Sequence, residues 1–273
     1  MRLYIDSRFR TPDSYSASAF TIELRESMDL PAKSKVRVFN LCVPFSWYTV
    51  ETGINQHLYI AETVNNVPTV RVITLPVGIY DGPKLALNIA AGLNGAGLYV
   101  SGSTPTPYMV TYNDRTGRIQ ISLQVPGVWR LIPDSLLSQF TVSYPSGASV
   151  SSPHSFSRNL GLSASVAYSQ SQAYVSEFVD LMAVKTIYLT STSLGNLSNV
   201  GPRPGQRDVL CCVPVTVSYG YLVCDTDASQ SEEWTDCSGQ LLKRLSFQVR
   251  DAAGSIIDLH GLEISFCLSF DSD

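Results

Sequence analysis

Apolar and polar residues alternate along most of the chain, in short runs broken by turn residues. Leu3 and Ile5 begin the pattern. Phe20, Ile22 and Leu24 alternate with Thr21 and Glu23, and Val36, Val38, Leu41 and Val43 form a longer run that stops at Pro44. Alternation of this kind sends successive side chains to opposite faces of a strand, so each run predicts a strand with one buried face. Further strand-like runs occupy residues 57–61, 69–75, 178–190, 209–217, 219–225, 242–250 and 256–270. Within the last two, Leu245, Phe247 and Val249 alternate with Ser246, Gln248 and Arg250, and Leu262, Ile264, Phe266, Leu268 and Phe270 keep the same period. Asp251 and Gly254 bound the turn expected between them.

One segment has a different period. Leu85, Ile89 and Leu93 recur every four residues and mark the apolar stripe of a helix near 82–95. Asp81 is placed to cap its first turn, Pro83 sits where a missing N–H does no harm, and Gly95 and Gly97 end it. A hairpin near 108–123 follows, with Asn113 to Gly117 as its turn. Residues 141–175 and 191–207 are rich in Ser, Gly, Pro and Asn and read as long surface loops. The expected fold is therefore all-β: a single jelly-roll sandwich built from residues 1–62 and 176–273, with residues 63–175 inserted as a strand, helix and hairpin region.

Composition sharpens this picture. The 273 residues suffice for one large all-β domain or two ordinary ones. Charged residues make up 15%, against the roughly 25% usual in soluble domains, so part of the surface is expected to be covered by partners. The net charge of −4 argues against nucleic-acid binding as the main task. Arg2, Arg8 and Arg10 form a local basic cluster, a possible contact for packaged DNA. No apolar run approaches the roughly 18 residues of a membrane helix, and no basic-then-apolar signal segment opens the chain, so membrane insertion is not expected and use in a cytosolic or nuclear compartment is.

Little of the chain looks chemical. Asp6, Ser7 and Arg8 stand together, but neighbours on a strand face opposite ways, and a serine nucleophile needs a base and an oxyanion hole. A strand end capping its own turn accounts for the trio. Cys42, Cys211, Cys212, Cys224, Cys237 and Cys267 include no C-x2-C pair, and His57, His154 and His260 are the only histidines, so the spacings suggest neither a disulfide framework nor a zinc site. Asp225 and Asp227 fit the first two positions of a calcium loop, but Gln230 replaces its glycine, and Glu232, Glu233 and Asp236 read as a solvated acidic loop. Asn196-Leu197-Ser198 is a lone glycosylation sequon. Trp47, Trp129 and Trp234 could serve as stacking platforms of a carbohydrate-binding β-sandwich, which is the alternative to a packing or interface role. No catalytic, cofactor-binding or metal-binding residue is expected.

Several stretches, taken in order, resemble the penton (minor capsid) proteins of virophages, polinton-like viruses and adintoviruses. LYIDSRFR, carrying Tyr4, Asp6 and Arg8, resembles the family's opening, and Val43, Pro44 and Tyr48 match the corner that ends its second strand. Gly78, Tyr80, Leu85 and Leu93 match its strand-to-helix segment. Leu245, Phe247, Val249, Asp251, Gly254 and Asp258 match its closing hairpin. The resemblance implies a jelly roll standing roughly upright in a virus shell, five copies forming a homopentamer at each fivefold vertex, and trimeric double-jelly-roll major capsid proteins as neighbours. It places the chain in the virion, assembled in the host cytoplasm or nucleus. No Arg-Gly-Asp triplet is present, so the integrin-binding loop of some adenovirus penton bases has no counterpart.

Overall fold

A computed structural model describes residues 1–95, 97–163, 166–182, 184–194, 201–202, 206, 208–225 and 234–272. The chain divides into two compact units, Met1–Trp47 with Val184–Asp273, and Tyr48–Ala183. In chain order the first unit contributes β1 (Arg2–Asp6), β2 (Ala19–Asp29) and β3 (Ser34–Pro44). The second contributes β4 (His57–Val64), β5 (Val67–Thr74), α1 (Gly82–Gly95), β6 (Tyr108–Asn113), β7 (Arg118–Leu123), β8 (Val128–Leu131), β9 (Tyr168–Ser169) and β10 (Ala173–Val175). The chain then returns to the first unit with β11 (Thr186–Thr190), β12 (Val209–Pro214), β13 (Leu222–Cys224), β14 (Thr235–Asp236), β15 (Leu241–Arg250) and β16 (Ser265–Ser272).

In the first unit the strand pairs are nested. β1 pairs β16, β2 pairs β15, β3 pairs β13, and β11 pairs β12, all antiparallel. A long hairpin rolled up in this way gives two sheets, ordered β1-β16-β3-β13 (with β14 also on β3) and β12-β11-β15-β2. This is the jelly roll. Its core draws on the inward faces of both sheets: Ile5, Val36, Val38, Phe266 and Leu268 from one, Phe20, Ile187, Leu245 and Phe247 from the other. Phe247 meets Phe266 edge to face, with ring centroids 5.0 Å apart.

The three-residue step from Val38 to Leu41 has a local cause. Phe39 pairs Cys267 while Cys42 pairs Ser265, so β3 carries one residue more than β16 across that interval. Asn40 takes the extra place with φ 53°. This bulge restores the apolar phase, and asparagine tolerates the left-handed backbone better than most residues.

The second unit has a four-stranded sheet, β5-β4-β8-β9, and a three-stranded one, β10-β7-β6. Leu85, Ile89 and Leu93 of α1 are fully buried, and the N–H of Lys84 donates to Asp81 Oδ1 (2.7 Å) as the cap predicts. The jelly-roll boundary expected at 62/63 falls inside β4, and the units divide instead at 47/48 and 183/184. The reason is that β4 is buried on both faces. Leu58 and Ile60 face one core, and Tyr59 and Ala61 face another. An apolar run of this kind marks a covered central strand without saying which sheet it belongs to.

A buried ionic knot ties this unit together. Glu62 on β4, 1% exposed, pairs Arg71 on β5 at 3.0 Å and accepts from Tyr108 Oη at 2.8 Å and from the Leu98 N–H at 2.9 Å. Arg71 also donates to the Gly92 and Leu93 carbonyls, closing the C-terminal end of α1. A Cβ on Gly97 (φ +152°) would stand 2.7 Å from Glu62 Oε1, so the chain passes this knot on a glycine. Burial, and then the neighbouring Glu62 carboxylate, push the Tyr108 phenol far up, so it acts as a donor at any ordinary pH. Glu62→Ala is expected to cost roughly 3–5 kcal/mol in urea unfolding, because it strands a largely buried guanidinium, and Glu62→Met with Arg71→Met to recover a large part of that loss. Equal losses in the single and double variants would contradict this reading.

Candidate functional site

The corner after β1 is a polar knot of the first unit. Asp6 caps the short 3-10 turn Ser7–Phe9 by accepting from the Arg8 N–H (2.9 Å), and its carboxylate pairs the Arg8 guanidinium at 2.6 Å. The Arg8 hydrogen bond holds the Asp6 carboxyl below its usual value. Ser7 is wholly buried. Its hydroxyl donates to the Glu263 carboxylate and accepts from the Ile264 N–H (3.0 Å), while its own N–H donates to the Ile264 carbonyl (3.0 Å). Arg10 donates to both Glu263 oxygens at 2.8 Å. Ser7 is thus a linchpin between the start and the end of the chain, with its hydroxyl already committed, and it is not placed to attack a substrate.

The same geometry bears on the basic cluster. Arg8 and Arg10 are neutralised by Asp6 and Glu263, and Arg2 lies 5.3 Å over the Phe39 ring. The corner is an ion-paired surface, not an open cationic patch for phosphate.

The other motif residues hold turns and junctions. Pro44 ends β3; beyond it Phe45 stacks on Trp47 (centroids 4.4 Å), and Ser46 Oγ donates to the Leu259 carbonyl (2.9 Å). Tyr48 opens the second unit, its N–H directed at Glu51 Oε2 (3.4 Å). There Gly78 and Val50 exchange both backbone hydrogen bonds at 3.0 Å, and the buried Tyr80 donates its N–H to Thr49 Oγ1 (3.2 Å). Asp251 and Gly254 close the turn after β15. Gly254 (φ 80°) donates to the Asp251 carbonyl (3.0 Å), and the Ser255 N–H reaches Asp251 Oδ1 (2.7 Å).

Two of the three tryptophans are unavailable as stacking platforms, since Trp47 and Trp129 are buried. Trp234 is covered on one face by the Arg37 guanidinium, 4.8 Å from its ring. Asp227, Ser229, Gln230, Glu232 and Glu233 of the acidic loop, and the sequon Asn196-Leu197-Ser198, lie outside the described residues. Asp236, at the far side of that loop, binds the Ser238 N–H and hydroxyl at 2.8 and 2.6 Å.

The pattern of strands did not point to the exposed aromatics near the N-terminus. Tyr4, Phe9 and Tyr15 are 75%, 76% and 86% exposed. Their signal was present in the sequence: Tyr4 alternates with Leu3 and Ile5 and so takes the outward face of β1, while Phe9 and Tyr15 are set among charged, serine and proline residues. Apolar rings standing this far into solvent suit contact with another molecule.

No protein-family profile matches the chain, and no curated protein sequence matches it. Among solved structures, the mavirus penton protein superposes with a TM-score of 0.54 over 100% of both chains, at 11% identity. This chain has the fold of that penton protein. A chain of the Sputnik virophage, solved by cryo-EM, aligns over 98% of this chain and 97% of its own at 12% identity, with a TM-score of 0.48.

The corner also sets an acid dependence. Burial alone would raise the Glu263 carboxyl, but the Ser7 hydroxyl and the Arg10 guanidinium outweigh it and hold the group below its usual 4.5. A depressed carboxyl contributes stability above about pH 4.5 and loses it as pH falls through the folded value. Ser7→Ala should cost about 1–2 kcal/mol at neutral pH and should then lose less than the parent protein between about pH 5 and 3. Urea midpoints across that range check this, and parallel pH profiles would contradict it.

Proposed function

We propose that the chain is a structural capsid protein whose copies close a fivefold ring at each vertex of an icosahedral virus. The observation that carries this reading is the extent of the superposition. Jelly rolls serve many functions, and a sandwich alone would say little. The match to a penton protein instead runs the full length of both chains, and so takes in the inserted second unit with its helix as well as the sandwich.

In this reading the work is geometric and not chemical. A ring of identical subunits uses two different faces of each protomer, one meeting the other around the axis. Large exposed apolar side chains on the first unit, among them Tyr4, Phe9, Tyr15, Tyr221 and Leu222, suit such contacts, and the low share of charged residues agrees with flanks covered by neighbours. The surrounding partner is a double-jelly-roll major capsid protein, and the chain resides in the virion after assembly in the host cell.

Mass photometry of the purified chain tests the ring directly: species at five times the monomer mass support it, and a monomer at all concentrations contradicts it. Tyr4→Asp combined with Phe9→Asp is expected to lower the ring fraction at least about tenfold while the melting temperature stays within a few degrees, as befits exposed anchors at an interface. An unchanged ring fraction would remove the β1 face from the contact.

A further inference from the structure

Cys42 and Cys224 are 182 residues apart, yet they sit directly opposite each other on β3 and β13. Their Sγ atoms are 3.1 Å apart. The Asp225 N–H donates to the Leu41 carbonyl just outside the pair (3.0 Å), so the two cysteines form a non-hydrogen-bonded antiparallel pair. Cα atoms at such positions stand about 4.5 Å apart and their side chains approach most closely, within the span of roughly 4.4–6.8 Å that a disulfide bridges. The sulfurs need to close by only about 1 Å, which side-chain rotation supplies. Both residues are partly exposed on the face of the sheet that points away from the core, so a small oxidant can reach them. Cys237 and Cys267, by contrast, are each 1–2% exposed inside the sandwich.

We propose that Cys42 and Cys224 form a cross-strand disulfide when the protein meets an oxidising environment, and that this bond staples the third nested strand pair of the jelly roll. Two S–H bonds break and one S–S bond forms. The two electrons and two protons pass to a small-molecule disulfide such as oxidised glutathione, which leaves as two thiols. The exchange passes through a mixed disulfide on one cysteine, which the other then displaces.

The consequences follow from topology. β13 is a three-residue strand at a sheet edge, with β3 as its one hydrogen-bonded strand partner among the described residues, and short edges of this kind open first. The bond would also close the loop from residue 42 to residue 224, which contains every residue of the second unit. A cross-link stabilises mainly by restricting the unfolded chain, more so for longer loops. Burial, and then the hydrogen bond with Cys224, push the Cys42 thiol up to about 11. Cys42 therefore stays largely protonated at neutral pH and attacks slowly, as suits a staple set by lasting oxidation rather than a rapid sensor. The inference is independent of the ring-forming role and stands or falls separately from it.

The test is to incubate the reduced folded protein with oxidised glutathione at about pH 8, block the remaining thiols by alkylation, and map the peptides by mass spectrometry. The expected product joins the Cys42 and Cys224 peptides with the loss of two hydrogens. It should raise the melting temperature by about 5–10 °C, reversibly on addition of dithiothreitol. Cys224→Ser should abolish that rise and Cys211→Ser should keep it. Should Cys42→Ser fold poorly, the Cys224→Ser comparison carries the same information. Recovery of both cysteines as alkylated peptides, or a cross-link joining Cys42 to any other cysteine, would overturn the proposal.

Discussion

The first strand of the chain lies against the last, and the sandwich is organised around that pairing. Tyr4 faces Cys267 and Ile5 faces Phe266 in register, the Met1 ammonium group donates to the Phe270 carbonyl at 2.7 Å, and Ser7 bonds Glu263 and Ile264. Once β1 is fixed on β16, the second strand falls opposite the fifteenth and the third opposite the thirteenth. Hydrophobic burial between the two sheets then becomes available, because each sheet needs strands from both ends of the chain to complete its inward face. Such long-range pairing is costly in chain entropy and slow to form, so the polar corner at Ser7 has a purpose that its chemistry alone did not suggest.

The same arrangement explains why a second unit can be carried between β3 and β11. A rolled hairpin tolerates extra chain where one arm leaves a sheet, and loop-closure cost rises only slowly with the length inserted. The inserted unit meets its own needs. Its helix buries Leu85, Ile89 and Leu93, and its one deeply buried carboxylate, among the described residues, is matched by Arg71, Tyr108 and a backbone N–H. A buried charge without these partners would be untenable, and with them it fixes where β4, β5 and the end of α1 meet.

What the sequence made legible follows from which signals are local. The helix announced itself through the Asp81 cap and the four-residue stripe, the hairpin through Asn113 and Gly117, and the strands through alternation. The three-residue step between Val38 and Leu41 is a bulge at Asn40 that keeps the alternation in phase. Membership of a sheet is not local. The run from His57 to Ala61 shows that a strand is buried, but nothing in it says against which partner, and it pairs β5 and β8 instead of joining the jelly roll. Nor is the juxtaposition of Cys42 with Cys224 local, since it exists only once the third nested pair forms. Asp6, Ser7 and Arg8 drew notice as possible chemistry because charged residues are sparse in this chain, at 15%, and the structure shows the trio spent on holding a corner together.

A chain built this way has three apolar cores, a corner of satisfied polar groups and several exposed rings, and these are features that the proposed ring would use. The most direct measurement is image reconstruction of particles assembled from this chain together with a double-jelly-roll major capsid protein. The account predicts density for this chain, five copies to a ring, at every fivefold vertex. Particles whose vertices close without it, or that carry it in any other position, would contradict the account.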